Sequence, residues 1–225
     1  MDIDALFPRT EEPVFDLEYF EPRKRSTIQE LMDKPYDLNY AFGRYDKRAS
    51  FITDDRNSYE VSLILDEHQY VDGLSLGTWE LMFKLKRTPD SYIDSVDIEN
   101  TGDQFRVMTT VIEAAREFLS ALEDDDSKIA VRPFLVYFTA KEENRTRLYD
   151  LLVRKLTRNS KYQVITDDDI SQLEDYSMTM EDTDDAQSLL HLANNLKGLY
   201  ETRNEAIFMI VNEDLYNRVR DLASS

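Results

Sequence analysis

No cysteine occurs among the 225 residues. That excludes disulfides, thiolate metal sites and a cysteine nucleophile, and it fits a reducing compartment. Histidine is almost as scarce, with His68 and His191 the two present, and no Ser/His/Asp arrangement is built around either. The five glycines never cluster into a phosphate-cradling loop. No apolar run approaches the roughly 18 residues of a membrane span, and the N-terminus lacks the basic start and apolar stretch of a signal peptide. A protein of the cytoplasm, without a membrane partner, is therefore expected. Base is short relative to acid: 27 Lys and Arg stand against 46 Asp and Glu, for a net charge of −19. Such a surface repels nucleic-acid phosphates and anionic membranes and attracts basic partners, while also serving solubility.

What is present suffices for one sizeable domain with additions. Hydrophobic residues make up 41% and aromatic residues 11%, enough for a substantial core at this length. Three parts are expected: an extended N-terminal arm over 1–25, an α/β core over 26–166, and a C-terminal part over 167–225.

The core centres on residues 92–165. Val96 and Ile98 alternate with Asp97 and Glu99, a strand pattern. Asn100-Thr-Gly-Asp103 is turn chemistry. Val107, Val111, Ala114, Phe118 and Leu122 then fall at helical spacing, with Asp103 suited to the helix start. Phe134 to Phe138 reads as a buried strand. Glu142, Glu143 and Asn144 open a second helix striped by Leu148, Leu151, Leu152 and Leu156, and Lys161 to Thr166 gives another strand. A strand–helix–strand unit of this kind makes a right-handed crossover between parallel strands.

Before this unit the spacing predicts an antiparallel meander. Thr27-Ile-Gln-Glu30 has capping-box spacing for a short helix ending near Asp33. Leu38–Tyr45 pairs with Arg48–Thr53, Asp54 to Asn57 turns, and Tyr59–Leu65 is a strand. Asp66-Glu-His-Gln69 reads as a polar turn, with Gly73 and Gly77 bracketing a further loop, and Thr78–Leu85 alternates as the next strand. After Thr166, residues 167–185 hold nine acids and no base, which reads as a loop or short helix facing solvent. A helix over Ser188–Tyr200, a strand over Ala206–Val211 and a helix over Glu213–Leu222 complete the chain. Asp124-Asp-Asp126 and Asp167-Asp-Asp169 lack the Gly and Glu spacing of a calcium loop and read as solvated runs, so no metal is expected. The 1–25 arm carries Phe7, Phe15, Tyr19 and Phe20 among acids. Large apolar groups in such numbers suit packing on a partner or on the chain itself. Arg23-Lys-Arg25 is too short to argue for nucleic acid.

Two resemblances follow. The meander, then strand–loop–helix, then strand–helix containing Leu148-Tyr149, then a last strand, resembles the GNAT (N-acetyltransferase superfamily) fold over about residues 38–166. This implies a GNAT-like mixed sheet, α+β or α/β in class, in which an antiparallel meander is followed by β-α-β-α-β. In that family the loop before the first core helix holds the pyrophosphate of acetyl-CoA on backbone N–H groups, and a tyrosine donates a proton to the leaving thiolate. The resemblance places Gly102 and Arg106 at the cofactor and Tyr149 at the general acid. The sequence departs from the pattern: Gly102 is the single glycine of its loop, Asp103 sets a carboxylate where phosphates belong, Glu142 and Arg145 replace an Asn and an Ala, and Val153-Arg154 stands for a Gly-Phe. Separately, Leu31-Met-Asp-Lys-Pro-Tyr36, Phe51-Ile-Thr-Asp-Asp55 with Tyr59-Glu-Val61, Thr101-Gly-Asp-Gln-Phe-Arg-Val107 and Phe138-Thr-Ala-Lys-Glu-Glu-Asn-Arg-Thr-Arg-Leu-Tyr-Asp150 are similar to an uncharacterised protein group of tailed bacteriophages, which implies a phage origin and location in the host cytoplasm or the virion. The expected function is non-catalytic binding of another protein, a phage component or a basic host protein, through Phe7, Phe15, Tyr19 and Phe20 or the acidic C-terminal part. The alternatives are an acyl-CoA-dependent N-acyltransferase, with acetyl-CoA as cofactor, and an acidic DNA mimic that inhibits a host defence protein.

Overall fold

The computed structural model describes residues 34–54, 56–88, 91–93, 104–124, 131–140, 152–202 and 206–223. They form a mixed α/β fold. The strands are β1 (Asn39–Phe42), β2 (Asp46–Ile52), β3 (Ser58–Val71), β4 (Leu74–Thr88), β5 (Ser91–Ile93), β6 (Arg132–Ala140), β7 (Tyr162–Val164) and β8 (Ala206–Asn212). The helices are α1 (Gln104–Glu123), α2 (152–157), α3 (Asp167–Thr179), α4 (Thr183–Thr202) and α5 (Glu213–Ala223). One eight-stranded sheet runs β1-β2-β3-β4-β6-β8-β7, with β5 paired to the end of β4. All neighbours are antiparallel except β4 and β6, which α1 connects as a parallel crossover. The strand expected over 95–99, the helix over 27–33 and the start of the second core helix lie outside the described residues.

The meander is longer and tighter than the sequence pattern suggests. Asp66 to Gln69 is not a turn. It lies within β3, because its polar side chains sit on strand positions that reach solvent or other polar groups. Nor do Gly73 and Gly77 bracket a loop. The β3–β4 connection is the two-residue turn Asp72-Gly73, both at positive φ (47° and 69°), a backbone whose twist matches the flanking strands and which Asp-Gly favours. Gly77 lies inside β4 for a different reason. A Cβ there would stand 2.5 Å from Val131 Cγ1 and 2.6 Å from Trp79 Nε1.

Two irregularities then divide the side chains between two cores. In β3, Leu65 pairs with Trp79 and Glu67 with Thr78, so Asp66 is an extra residue. Before it, Tyr59, Val61 and Leu63 face the first core; beyond it, Val71 faces the second. The extra residue reverses which parity points inward. In β6, Gly77 pairs with Pro133 and Thr78 with Leu135. Phe134 is the surplus residue, and both Phe134 and Leu135 enter the second core. The first core lies between the sheet and α1 with α2; the second lies between the sheet and α3, α4 and α5. Each buried Leu or Phe contributes about 1.5–3 kcal/mol, so both helical layers are held chiefly by these faces.

Of the two readings of the acidic run 167–185, a loop or a short helix facing solvent, residues 167–179 take the helix, but one of its faces is buried. Residues 167–179 form α3, in which Ile170, Leu173 and Ser177 are buried. Its start is a capping box: Thr166 Oγ1 accepts from Asp169 N, and Asp169 Oδ2 accepts from Thr166 N at 2.8 Å. Asp167, Asp168 and Asp169 occupy the first turn, where free N–H groups and the dipole favour carboxylates. Further along, Lys197 of α4 pairs with Glu174. β8, from the C-terminal part, lies inside the sheet between β6 and β7.

Helix α5 is fastened by Tyr216, which is buried and donates its hydroxyl to Asp169 O at 3.2 Å. Burial, then Tyr176 and Asp169, push this phenol up to about 12, with Arg220 opposing. The unfolded phenol ionises near 10. Between these values the unfolded chain loses a proton that the folded chain keeps, so stability present below pH 10 falls as pH rises toward 12. Urea midpoints taken from pH 9 to 12 should fall in the wild type, and fall less steeply in Tyr216→Phe.

Candidate functional site

The sheet begins with an open edge. Among the described residues β1 pairs with β2 alone, and all four of its residues are exposed. Tyr40 and Phe42 project to one side, stacked with ring centroids 5.5 Å apart. Each also leans edge-to-face on Phe118 of α1, at 6.2 and 6.3 Å. Phe118 is fully buried, yet Phe42 keeps 52% of its surface in water, and Tyr45, just past the strand, keeps 47%. Arg44 lies over the Tyr45 ring at 5.0 Å. Beside Tyr40 stand Glu113 and Glu117, exposed and four apart on α1. Partial burial, then Glu117 and then Glu113, raise the Tyr40 phenol pKa.

This edge is held from both ends. Upstream, Tyr36 N donates to Thr110 Oγ1 at 2.9 Å, and Thr110 donates in turn to Arg106 O at 2.8 Å. The Tyr36 ring opens a ladder through Phe51, Tyr59 and Phe83, with successive centroids 5.7, 5.2 and 5.2 Å apart. Downstream, Gly43 N donates to Asp46 O at 2.8 Å, and Lys47 Nζ donates to the Gly43 carbonyl.

Arg106 belongs to the upstream anchor. Its guanidinium lies 3.8 Å over the Tyr36 ring, its Nε donates to Lys34 O at 3.0 Å, and its Nη1 pairs with Asp54 at 3.1 Å. It fastens residues 34–36 to the first turn of α1. To hold a phosphate it would exchange these contacts for the anion. Gly102, Tyr149, Phe7, Phe15, Tyr19 and Phe20 lie outside the described residues.

His68 stands exposed on β3, edge-to-face with Tyr70 at 5.4 Å. His191 of α4 meets Glu67 of β3, Nε2 to Oε1 at 2.7 Å. The same carboxylate accepts from Gln69 at 2.7 Å and from Asn195. This cluster ties α4 to the sheet one residue beyond the surplus Asp66, whose carboxylate accepts the Tyr137 hydroxyl at 3.0 Å. Among the described residues no group of three His, Asp or Glu gathers as metal ligands, and no helix is long and apolar enough to cross a membrane.

β4 and β6 part company at one end. Their pairing stops at Glu80 and Tyr137, while β4 runs on to Thr88 and turns its hydrogen bonds to β5. β6 runs on to Ala140, bonded among the described residues to β8 alone. The first turn of α1 stands at this same end, where Arg106 reaches Tyr36 beside Phe51.

The sequence did not single out Tyr40 and Phe42. Their alternation within Leu38–Tyr45 marks a strand, but only the sheet order makes that strand an edge. No family model, no curated protein and no solved structure matches the chain.

Proposed function

We propose that this chain is a GNAT-like α/β domain of phage origin whose work is to bind another protein, as a virion component or accessory factor, without acyl transfer. One observation carries the reading: exposed aromatic rings sit on an open, pre-ordered sheet edge. Exposed rings grouped on one edge suit a partner's apolar side chains, and unpaired backbone groups suit its main chain. Arg106 supports it from the other direction, being engaged by Tyr36, Lys34 and Asp54. The phage origin rests on the four resembling segments alone. A photo-reactive benzoylphenylalanine at position 42, in bacterial cells making the protein, should give a covalent adduct with a second polypeptide that Tyr40→Ser diminishes. No adduct at that position would overturn the reading.

A second reading, an acyl-CoA-dependent N-acyltransferase, is favoured by the parting of β4 and β6 after Glu80 and Tyr137. An opening between parallel strands beside a helix start suits an extended anionic ligand. Calorimetric titration with acetyl-CoA separates the two. No saturable heat is expected; saturable binding abolished by Gly102→Val and weakened by Tyr149→Phe would replace the first reading with the second.

A further inference from the structure

Which protein segment the β1 edge takes follows from its charge and backbone, given the protein-binding reading above. We infer that β1 accepts an extended, basic segment of another protein as an additional strand, whose Arg or Lys side chains lie over Tyr40 and Phe42 and reach Glu113 and Glu117.

Consider first the backbone. Edge strands are ordinarily guarded by proline, lysine, an inward charge or a bulge. Asn39-Tyr-Ala-Phe42 has none of these, and its pairing to β2 is regular across all four residues. Among the described residues, shortness is its one protection. The anchors at Tyr36 and Gly43 fix it before any partner arrives, which lowers the ordering cost of adding a strand.

The side chains then select the sign of the partner's charge. Ring faces are electron-rich and attract guanidinium or ammonium groups, by about 0.5–1 kcal/mol at exposed sites. Arg44 already uses the Tyr45 ring in this way. Glu113 and Glu117 present two carboxylates next to Tyr40, and among the described residues neither has a cationic partner. The nearby cations are engaged elsewhere: Lys47 on the Gly43 carbonyl, Arg48 on Asp46 and Glu60, Arg116 on the Lys155 carbonyl. The net charge of −19 draws a basic segment in and opposes a second copy of this chain, whose own edge would bring the same carboxylates.

The test uses the full-length protein and two synthetic heptapeptides, one alternating Arg with Val and the other alternating Glu with Val. Backbone amide shifts are followed by NMR. The Arg peptide should shift residues 39–42 saturably, and the Glu peptide should bind at least tenfold more weakly. The double variant Glu113→Lys, Glu117→Lys changes two solvent-facing positions, so its fold, checked by circular dichroism, should persist while the preference reverses. Phe42→Ser should weaken the Arg peptide without reversing the preference. Equal binding of both peptides, binding of neither, shifts centred elsewhere, or amides 39–42 already protected from exchange in the free chain would each overturn the inference. An adduct at position 42 combined with equal peptide binding leaves the protein-binding reading standing and removes this one alone.

Discussion

Trp79→Ala is expected to cost about 3–5 kcal/mol, the largest loss from any single truncation in the first core. Trp79 is fully buried on β4, with Leu65 of β3 on one side and Val136 of β6 on the other. Those pairings place it where the antiparallel half of the sheet joins the parallel pair. Its removal leaves a cavity in the first core that Gly77 cannot fill, since its backbone is fixed by pairing to His68 and to Pro133. Trp79→Phe should cost considerably less. The indole Nε1 has no hydrogen-bond partner among the described residues, so phenylalanine removes an unsatisfied buried donor along with some apolar area. Urea unfolding of the three proteins decides the matter. An equal loss in both variants would mean that the indole N–H is bonded in solution.

Leu173→Ala should cost about 2–5 kcal/mol, whereas Asp175→Ala, two residues on, should fall within about 0.5 kcal/mol of wild type. Leu173 is fully buried under α3 against the second core, while Asp175 is exposed. If the acidic run were a solvated loop, both changes would be neutral. The pair of variants therefore tests whether α3 belongs to the folded body, independently of any partner. Denaturant midpoints with unchanged slopes would assign the difference to the folded state.

These two sites also mark where the sequence was easy and hard to read. Helix α1 was legible because Val107, Val111, Ala114, Phe118 and Leu122 repeat over about four turns with nothing interrupting them. β8 and β6 were legible as short apolar runs, since strands covered on both faces carry little else. α3 was legible only as one of two options, a loop or a short helix, and its buried face was not, because nine acids over 167–185 outweigh the two apolar positions, Ile170 and Leu173, that it buries. The signal that finds it is Thr166 with Asp169 three residues on, a cap rather than a stripe. The continuation of β3 through Asp66–Gln69 was hidden by its surplus residue. A pattern of period 2 that changes phase in mid-strand looks like an ending. Asp72-Gly73 was available as the hairpin signal. The edge position of β1 was beyond reach altogether, because sheet order depends on which distant strands pair. For the same reason Arg106 read as a phosphate ligand and not as the clasp on Tyr36: its partners are 72 and 52 residues away in the chain.

The placement of β8 between β6 and β7 has a consequence for synthesis on the ribosome. A chain emerges from its N-terminus, so the meander and β6 leave the exit tunnel long before residues 206–212 do. Until then, among the described residues, β6 bonds to β4 over only part of its length and has no neighbour on its other side, and β7 has no neighbour at all. Closing the sheet waits on β8, a strand made well after β6. A polypeptide released early, by a stalled ribosome or a premature stop before residue 206, would carry the apolar β6 as an open edge of its sheet and β7 unpaired from it, a substrate for chaperones and proteases and not a smaller working protein.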